Sequence, residues 1–310
     1  MSWFYEALTR AEAKSRCPDK STIGTLEKGG DSFLNEIESF SRAGNPTTSI
    51  RLDAESDTVI QQMIPPAESS PNSNGFRHLN VALREEARLV FYSDPMSMAA
   101  EQFRFLRRSL VQAYPRGATL LITSPGAGDG KTLTAINLCA ALADGGDSTL
   151  LVELDLRRPS AHRVFGCKTE GHGIEDALVG RVSPEKTIHY LDPLGFYAAI
   201  VSRIPKEPSR LLTGSGIHNL LTWARPRFRW ILFDTAPVMP NADVTELLPT
   251  VDAALLIVRA QCTPKELSRR AVDVLGKRLQ GVIFNEATIH SAPYYRYLDG
   301  YYQAGASKVV

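Results

Sequence analysis

The sequence predicts a doubly wound α/β fold with a mostly parallel sheet, and three observations predict it. Short apolar runs alternate with helix-period patterns from about residue 119 onward, the order that builds strand-helix-strand crossovers. A glycine-rich loop joins the first of these runs to the helix that follows it. Acidic residues stand at the ends of two later runs, the carboxyl edge where such sheets bind their ligands.

Composition sets the frame for those elements. At 310 residues, 43% hydrophobic and 22% charged, the chain can bury one sizeable core and carry an extension as well. A formal net charge of +1 gives no reason to expect nucleic acid or an anionic membrane as the main partner. Cys17, Cys139, Cys167 and Cys262 form no CxxC pair, and the six histidines show no ligand spacing, so no structural metal is expected. No apolar run approaches the ~18 residues of a membrane-spanning helix, and a cytoplasmic location is expected.

Residues 1–80 read as an N-terminal extension. Phe4, Leu8 and Ala11 lie at helical spacing in a short amphipathic helix, which either docks a partner or packs on its own domain. From Cys17 to Gly75 there is little periodicity, and the closing "IPPAESSPNSNG" marks a linker expected to be largely disordered. Residues 81–290 form the expected catalytic domain. Asp94 followed by Pro95 predicts a helix start. In that helix Phe103, Leu106 and Leu110 share one face, while Glu101, Arg104 and Arg108 recur on another beside Arg107, a solvated face on spacing alone. Five buried strands follow at Thr119–Ser124, Thr149–Leu154, Arg229–Asp234, Ala253–Arg259 and Gly281–Asn285. Helical patterns run from Lys131 to Ala143, Ser209 to Trp223 and Pro264 to Leu279.

The chemistry gathers in three motifs. In "SPGAGDGKTL" a strand ends at Ser124, and Gly126, Ala127, Gly128, Asp129 and Gly130 lead into a helix at Lys131, Thr132 and Leu133. Glycines there let backbone N–H groups approach a phosphate and adopt positive φ. The fold is therefore of the P-loop NTPase type, with Lys131 reaching the β- and γ-phosphates of ATP and the Thr132 hydroxyl taking a Mg2+ position. Pro125 stands where the opening glycine is usual, while the anion-cradling part from Gly126 to Thr132 is intact. "LLVELDLRRPS" then delivers Asp155, a candidate for orienting Mg2+ or accepting a proton, with Glu153 two residues earlier on the same face of an extended chain. "RWILFDTAP" delivers Asp234 to the same edge as a third acid and metal partner.

These motifs, with "PSRLLTGSGIHNLL" between them, resemble the bacterial tyrosine kinases of capsule and exopolysaccharide synthesis, over roughly Arg88 to Glu286. Asp155 and Arg157 match the family's hhhDxDxR motif, with Glu153 at the first aspartate. Asp234 and Pro237 match its DxPP motif, with Ala236 at a proline. Glu101, Arg104 and Arg107 match its ExxRxxR element, which implies contacts within a ring of identical subunits. The tail 291–310 carries Tyr294, Tyr295, Tyr297, Tyr301 and Tyr302, which by the resemblance are autophosphorylated in the site of a neighbouring subunit. The resemblance also implies a separate transmembrane activator of the polysaccharide co-polymerase type, with membrane contact only through that partner at the inner face of the plasma membrane. Two alternatives stand beside this reading. One is a catalytically weakened nucleotide-binding adaptor of the same system, since Glu153 is a methylene longer than aspartate. The other is a ParA/MinD-type switch ATPase, which fits less well because Gly126 stands where its signature lysine belongs.

Overall fold

In a computed structural model, the described residues are 75–81, 88–167, 171–240 and 242–287. The amphipathic helix, the linker and the tyrosine cluster expected above lie outside them. Eight strands form one sheet: β1 (Arg77–Asn80), β2 (Ala118–Thr123), β3 (Thr149–Glu153), β4 (His189–Asp192), β5 (Phe196–Ala199), β6 (Trp230–Asp234), β7 (Ala253–Arg259) and β8 (Leu279–Asn285). Their order is β1-β4-β5-β3-β6-β2-β7-β8. Every pairing is parallel except β4 with β5, so the expected mostly parallel sheet is observed.

Nine α-helices are described: α1 (Val90–Ser93), α2 (Met98–Ala113), α3 (Lys131–Asp144), α4 (Ala161–Val164), α5 (Ile174–Leu178), α6 (Pro208–Thr213), α7 (Ser215–Ala224), α8 (Asp243–Leu247) and α9 (Lys265–Leu275). The central strands are buried on both faces, with Leu121, Leu150, Val152, Ile231 and Phe233 almost without solvent exposure. That is why their sequences run apolar without alternation. Helix α3 is buried nearly all round, from Ala135 to Leu142, between the sheet and α2.

Several expectations are corrected. Strands β1 and β4 carry too few apolar residues to be read from periodicity, β5 is apolar but only four residues long, and β1 lies within the stretch assigned to the extension. Asp94 does not start a helix: its N–H closes α1 on the Val90 carbonyl at 3.0 Å. Ser97 caps α2 instead, its hydroxyl accepting from the Ala100 N–H at 3.2 Å. The helix expected over Ser209–Trp223 is broken at Gly214, whose backbone is extended (φ −81°, ψ 176°), although the apolar pattern runs on across it. The last helix stops at Leu275, where Gly276 takes φ +48°, and β8 begins at Leu279 rather than Gly281.

Sheet register sets the height of the site. Glu153 at the end of β3 and Ile122 on β2 both pair with Asp234 at the end of β6. The loop after β2 and the acids after β3 and β6 therefore meet at one edge.

Candidate phosphoryl-transfer site

The glycine loop leaves β2 at the buried Ser124, whose hydroxyl donates to the Gly126 carbonyl at 2.6 Å. Gly128 and Gly130 both take φ +90°, a conformation that favours glycine. Ala127 and Gly128 are exposed at the crest, and Leu133 is half-buried one turn into α3. Asp129 turns inward, 5% exposed, and braces the loop from inside. Its carboxylate accepts the Gly126 N–H at 3.1 Å and the Thr263 hydroxyl at 2.6 Å. Asn285 donates to the Asp129 carbonyl at 3.0 Å. A Cβ on Gly130 would lie 2.0 Å from the Asn285 amide nitrogen, so the first residue before α3 must be glycine. Thr263 and Asn285 were not singled out from the sequence as site residues, although Thr263 follows one apolar strand and Asn285 ends another, the signal that marked Asp155 and Asp234.

Lys131 and two of the acids converge at the foot of the loop. The Lys131 ammonium lies 2.9 Å from Asp155 Oδ2, with the two side chains 13% and 4% exposed. Burial would lower the Lys131 pKa, but the Asp234 and Asp155 carboxylates outweigh it and hold the ammonium above its ordinary value. Asp155 Oδ1 accepts the Arg158 N–H at 3.0 Å. Asp234 is fully buried, and both of its carboxylate oxygens lack a hydrogen-bond partner. The Thr132 hydroxyl approaches it without completing a bond of good geometry. Burial pushes Asp234 up to about 7 against the opposing pull of Lys131, with Glu153 and Asp155 adding to the rise. Two buried, unpartnered carboxylate oxygens beside a threonine hydroxyl are oxygen donors of the kind a hard cation takes.

Glu153 is placed differently from Asp155. Alternation along β3 does not put its carboxylate beside Lys131. The side chain is 0% exposed, and its oxygens take the N–H groups of Ser160 at 2.6 Å, Ala161 at 2.8 Å and Val201 at 3.0 Å. Arg157, a surface charge on sequence alone, is bound at 2.7 Å to Asp243 and at 2.6 Å to the Ser209 hydroxyl. That cluster ties the segment after β3 to α6 and α8, and the Arg157 guanidinium overcomes burial to hold the Asp243 carboxyl below its usual range.

The model of the CobQ/CobB/MinD/ParA nucleotide binding domain matches residues 120–292, more than half of the chain. The chain belongs to that family. Membership makes residues 120–292 a nucleotide-binding domain, and among relatives the resemblance to bacterial tyrosine kinases is borne out. A putative tyrosine-protein kinase in the cps region of Klebsiella pneumoniae is 30% identical over 234 residues, covering 73% of this chain and 32% of its own. The chain thus spans about a third of that relative's length. Tyrosine-protein kinase YwqD of Bacillus subtilis is 27% identical over 223 residues, 70% of this chain and 94% of its own. The kinase domain of the Escherichia coli tyrosine kinase ETK superposes with a TM-score of 0.61 at 27% identity, covering 66% of this chain and 84% of that one.

Within this member of the family, Glu101, Arg104 and Arg107 are engaged inside the chain. Arg104 bridges Glu101 at 2.6 Å and the Pro95 carbonyl at 2.9 Å, and its guanidinium lies 5.2 Å from the centre of the Phe91 ring. Arg107 donates to the Ala141 carbonyl at 3.3 Å and faces Asp144 at 3.8 Å, pinning α2 to the end of α3. The same side chains, with Phe105, Arg108 and Arg229, line an open cavity of about 480 Å³. Among the described residues no helix is long and apolar enough to cross a membrane.

Proposed function

We propose that the chain is an ATP-dependent protein-tyrosine autokinase that regulates exopolysaccharide or capsule synthesis and export. One observation carries this reading. The Lys131–Asp155 ion pair and the unpartnered Asp234 carboxylate stand together at the foot of a glycine loop, in a chain whose relatives are named tyrosine kinases. ATP is the phosphoryl donor, held on Gly126 to Thr132. Lys131 leaves Asp155 to reach the β- and γ-phosphates and neutralise charge there. Asp155, released from that ammonium, accepts the proton of an incoming tyrosine hydroxyl. The tyrosine oxygen bonds to the γ-phosphorus, the bond from that phosphorus to the β–γ bridging oxygen breaks, and ADP departs.

No cluster of three or more His, Cys, Asp or Glu able to cage a metal stands among the described residues. Magnesium is commonly held by one or two carboxylates together with substrate phosphates, and Thr132, Asp155 and Asp234 fit that manner of binding. Bound there, Mg2+ would neutralise charge on the phosphates. The acceptors in this proposal are Tyr294, Tyr295, Tyr297, Tyr301 and Tyr302 of a neighbouring copy, in a ring that uses the Glu101, Arg104 and Arg107 face. A co-polymerase-type membrane protein is the proposed activator and the route to the membrane. Purified chain incubated with ATP and Mg2+ is expected to gain phosphotyrosine, and Lys131→Met to gain none while keeping its circular dichroism spectrum. Phosphotyrosine on purified Lys131→Met would refute the assignment. A second reading, a nucleotide-binding adaptor with weak transfer, is favoured by the commitment of Glu153 to backbone; wild type that binds ATP and stays unphosphorylated would establish it.

A further inference from the structure

The route from Glu153 to the metal-side hydroxyl runs through a residue with no role so far. Ser160 follows the Arg157-Arg158-Pro159 turn, and its N–H donates to Glu153 at 2.6 Å. Its own hydroxyl donates to Thr132 Oγ1 at 2.9 Å. A serine hydroxyl has one proton, and Ser160 spends it on Thr132. The Thr132 oxygen accepts there, so its own proton must turn elsewhere; the neighbour it approaches is the buried Asp234 carboxylate. One lone pair of the Thr132 oxygen remains. The extra methylene of glutamate, compared with aspartate, is what lets a carboxylate rooted on β3 span the N–H groups of Ser160, Ala161 and Val201 at once.

We infer that Ser160 is a positioning residue of the phosphoryl-transfer site: anchored by Glu153 through its N–H, it sets the rotamer of the Thr132 hydroxyl so that the proton turns away and the remaining oxygen lone pair faces a divalent cation. Glu153 then serves the site without touching the metal, and Asp155 and Asp234 are its acids. This rests on the proposed reading that Thr132 faces Mg2+ beside bound nucleotide. A hydrogen bond that orients a metal ligand typically governs 10–100-fold in metal affinity. Loss of the Ser160 hydroxyl is therefore expected to weaken the metal response and to spare the metal-free grip on the nucleotide.

The test titrates full-length chain with a fluorescent ATP analogue, with and without Mg2+, and then titrates Mg2+ at fixed analogue. Ser160→Ala is expected to raise the Mg2+ midpoint about tenfold and to leave metal-free affinity unchanged, and Ser160→Thr to restore the midpoint. Glu153→Gln presents an amide N–H to at least one backbone donor and is expected to raise the midpoint too, as is the shorter Glu153→Asp. A wild-type midpoint retained in Ser160→Ala overturns the inference and leaves the kinase reading standing. Equal weakening with and without Mg2+ in Ser160→Ala also overturns it, as a packing defect. Glu153→Gln with an unchanged midpoint removes the anchor and overturns it as well. Wild type whose binding ignores Mg2+ overturns both the inference and the reading beneath it.

Discussion

Asp234 shows how one side chain trades stability for function. Its pKa rises from an ordinary 3.8 to about 7 because it is wholly buried, the Lys131 charge offsetting only part of the burial. Between those values the folded chain keeps a proton that the unfolded chain has released, so folding is favoured below about pH 4 and loses this contribution as pH rises through about 7. Each pKa unit corresponds to about 1.4 kcal/mol, which puts the cost of an ionised Asp234 at neutral pH on the order of a few kcal/mol. Asp234→Asn is therefore expected to melt several degrees higher than wild type at pH 8 and close to wild type at about pH 4, while losing its response to Mg2+. Superimposed melting curves at pH 8 would rule out the strained carboxylate. Lys131 and Asp155 form the other half of the balance, since their 2.9 Å pair keeps two charges of this pocket compensated.

At the scale of elements, close packing sets which residues a helix tolerates. Gly216 in α7 faces the last turn of α5, where an added Cβ would stand 2.1 Å from the Leu178 carbonyl oxygen. Gly216 is the second residue of α7, where glycine costs a helix at most the roughly 1 kcal/mol relative to alanine of an interior site, so Gly216→Ala would not weaken a free helix. Here it must push α7 away from α5, at about 1–3 kcal/mol for overpacking. Urea unfolding of Gly216→Ala is expected to show a lower midpoint with an unchanged slope; a higher midpoint would mean that the two helices yield without cost. The break at Gly214 belongs to the same constraint. By ending α6 there, the chain turns α7 onto α5 and leaves Ser209, early in α6, on the Arg157–Asp243 pair.

For the whole molecule, the face of α2 carries the proposed assembly. Arg104, through Asp144 at 3.4 Å, and Arg107, through the Ala141 carbonyl, hold α2 on α3, whereas Arg108 beside them is exposed and has no partner among the described residues. Arg108→Glu is expected to lower the assembled mass in analytical ultracentrifugation and leave the melting temperature unchanged. Arg104→Ala, which also frees Glu101 and the Pro95 carbonyl, is expected to lower both. Unchanged mass in Arg108→Glu would place the ring contact on another surface. Electrostatics at such an exposed site is weak and salt-dependent, so the measurement belongs at low ionic strength.

The sequence by itself determined the mostly parallel sheet, the glycine loop between strand and helix, and the destination of Asp155 and Asp234. Each is written in a continuous stretch: an apolar run, its end, and the residues just after it. It also carried the resemblance to tyrosine kinases, through motifs in a set order. Tertiary structure decided what those stretches meet. Glu153 and Asp155, two residues apart, read as acids on one face of the strand end, yet the placement of β5 beside β3 brings the Val201 N–H, 48 residues away, onto one of them. Thr263 and Asn285 join the loop from 134 and 156 residues along the chain because β7 and β8 lie beyond β2 in the sheet. Periodicity reports which face of an element is apolar. It does not report which element lies beside it, and hydrogen bonds between distant residues are set by that neighbour order.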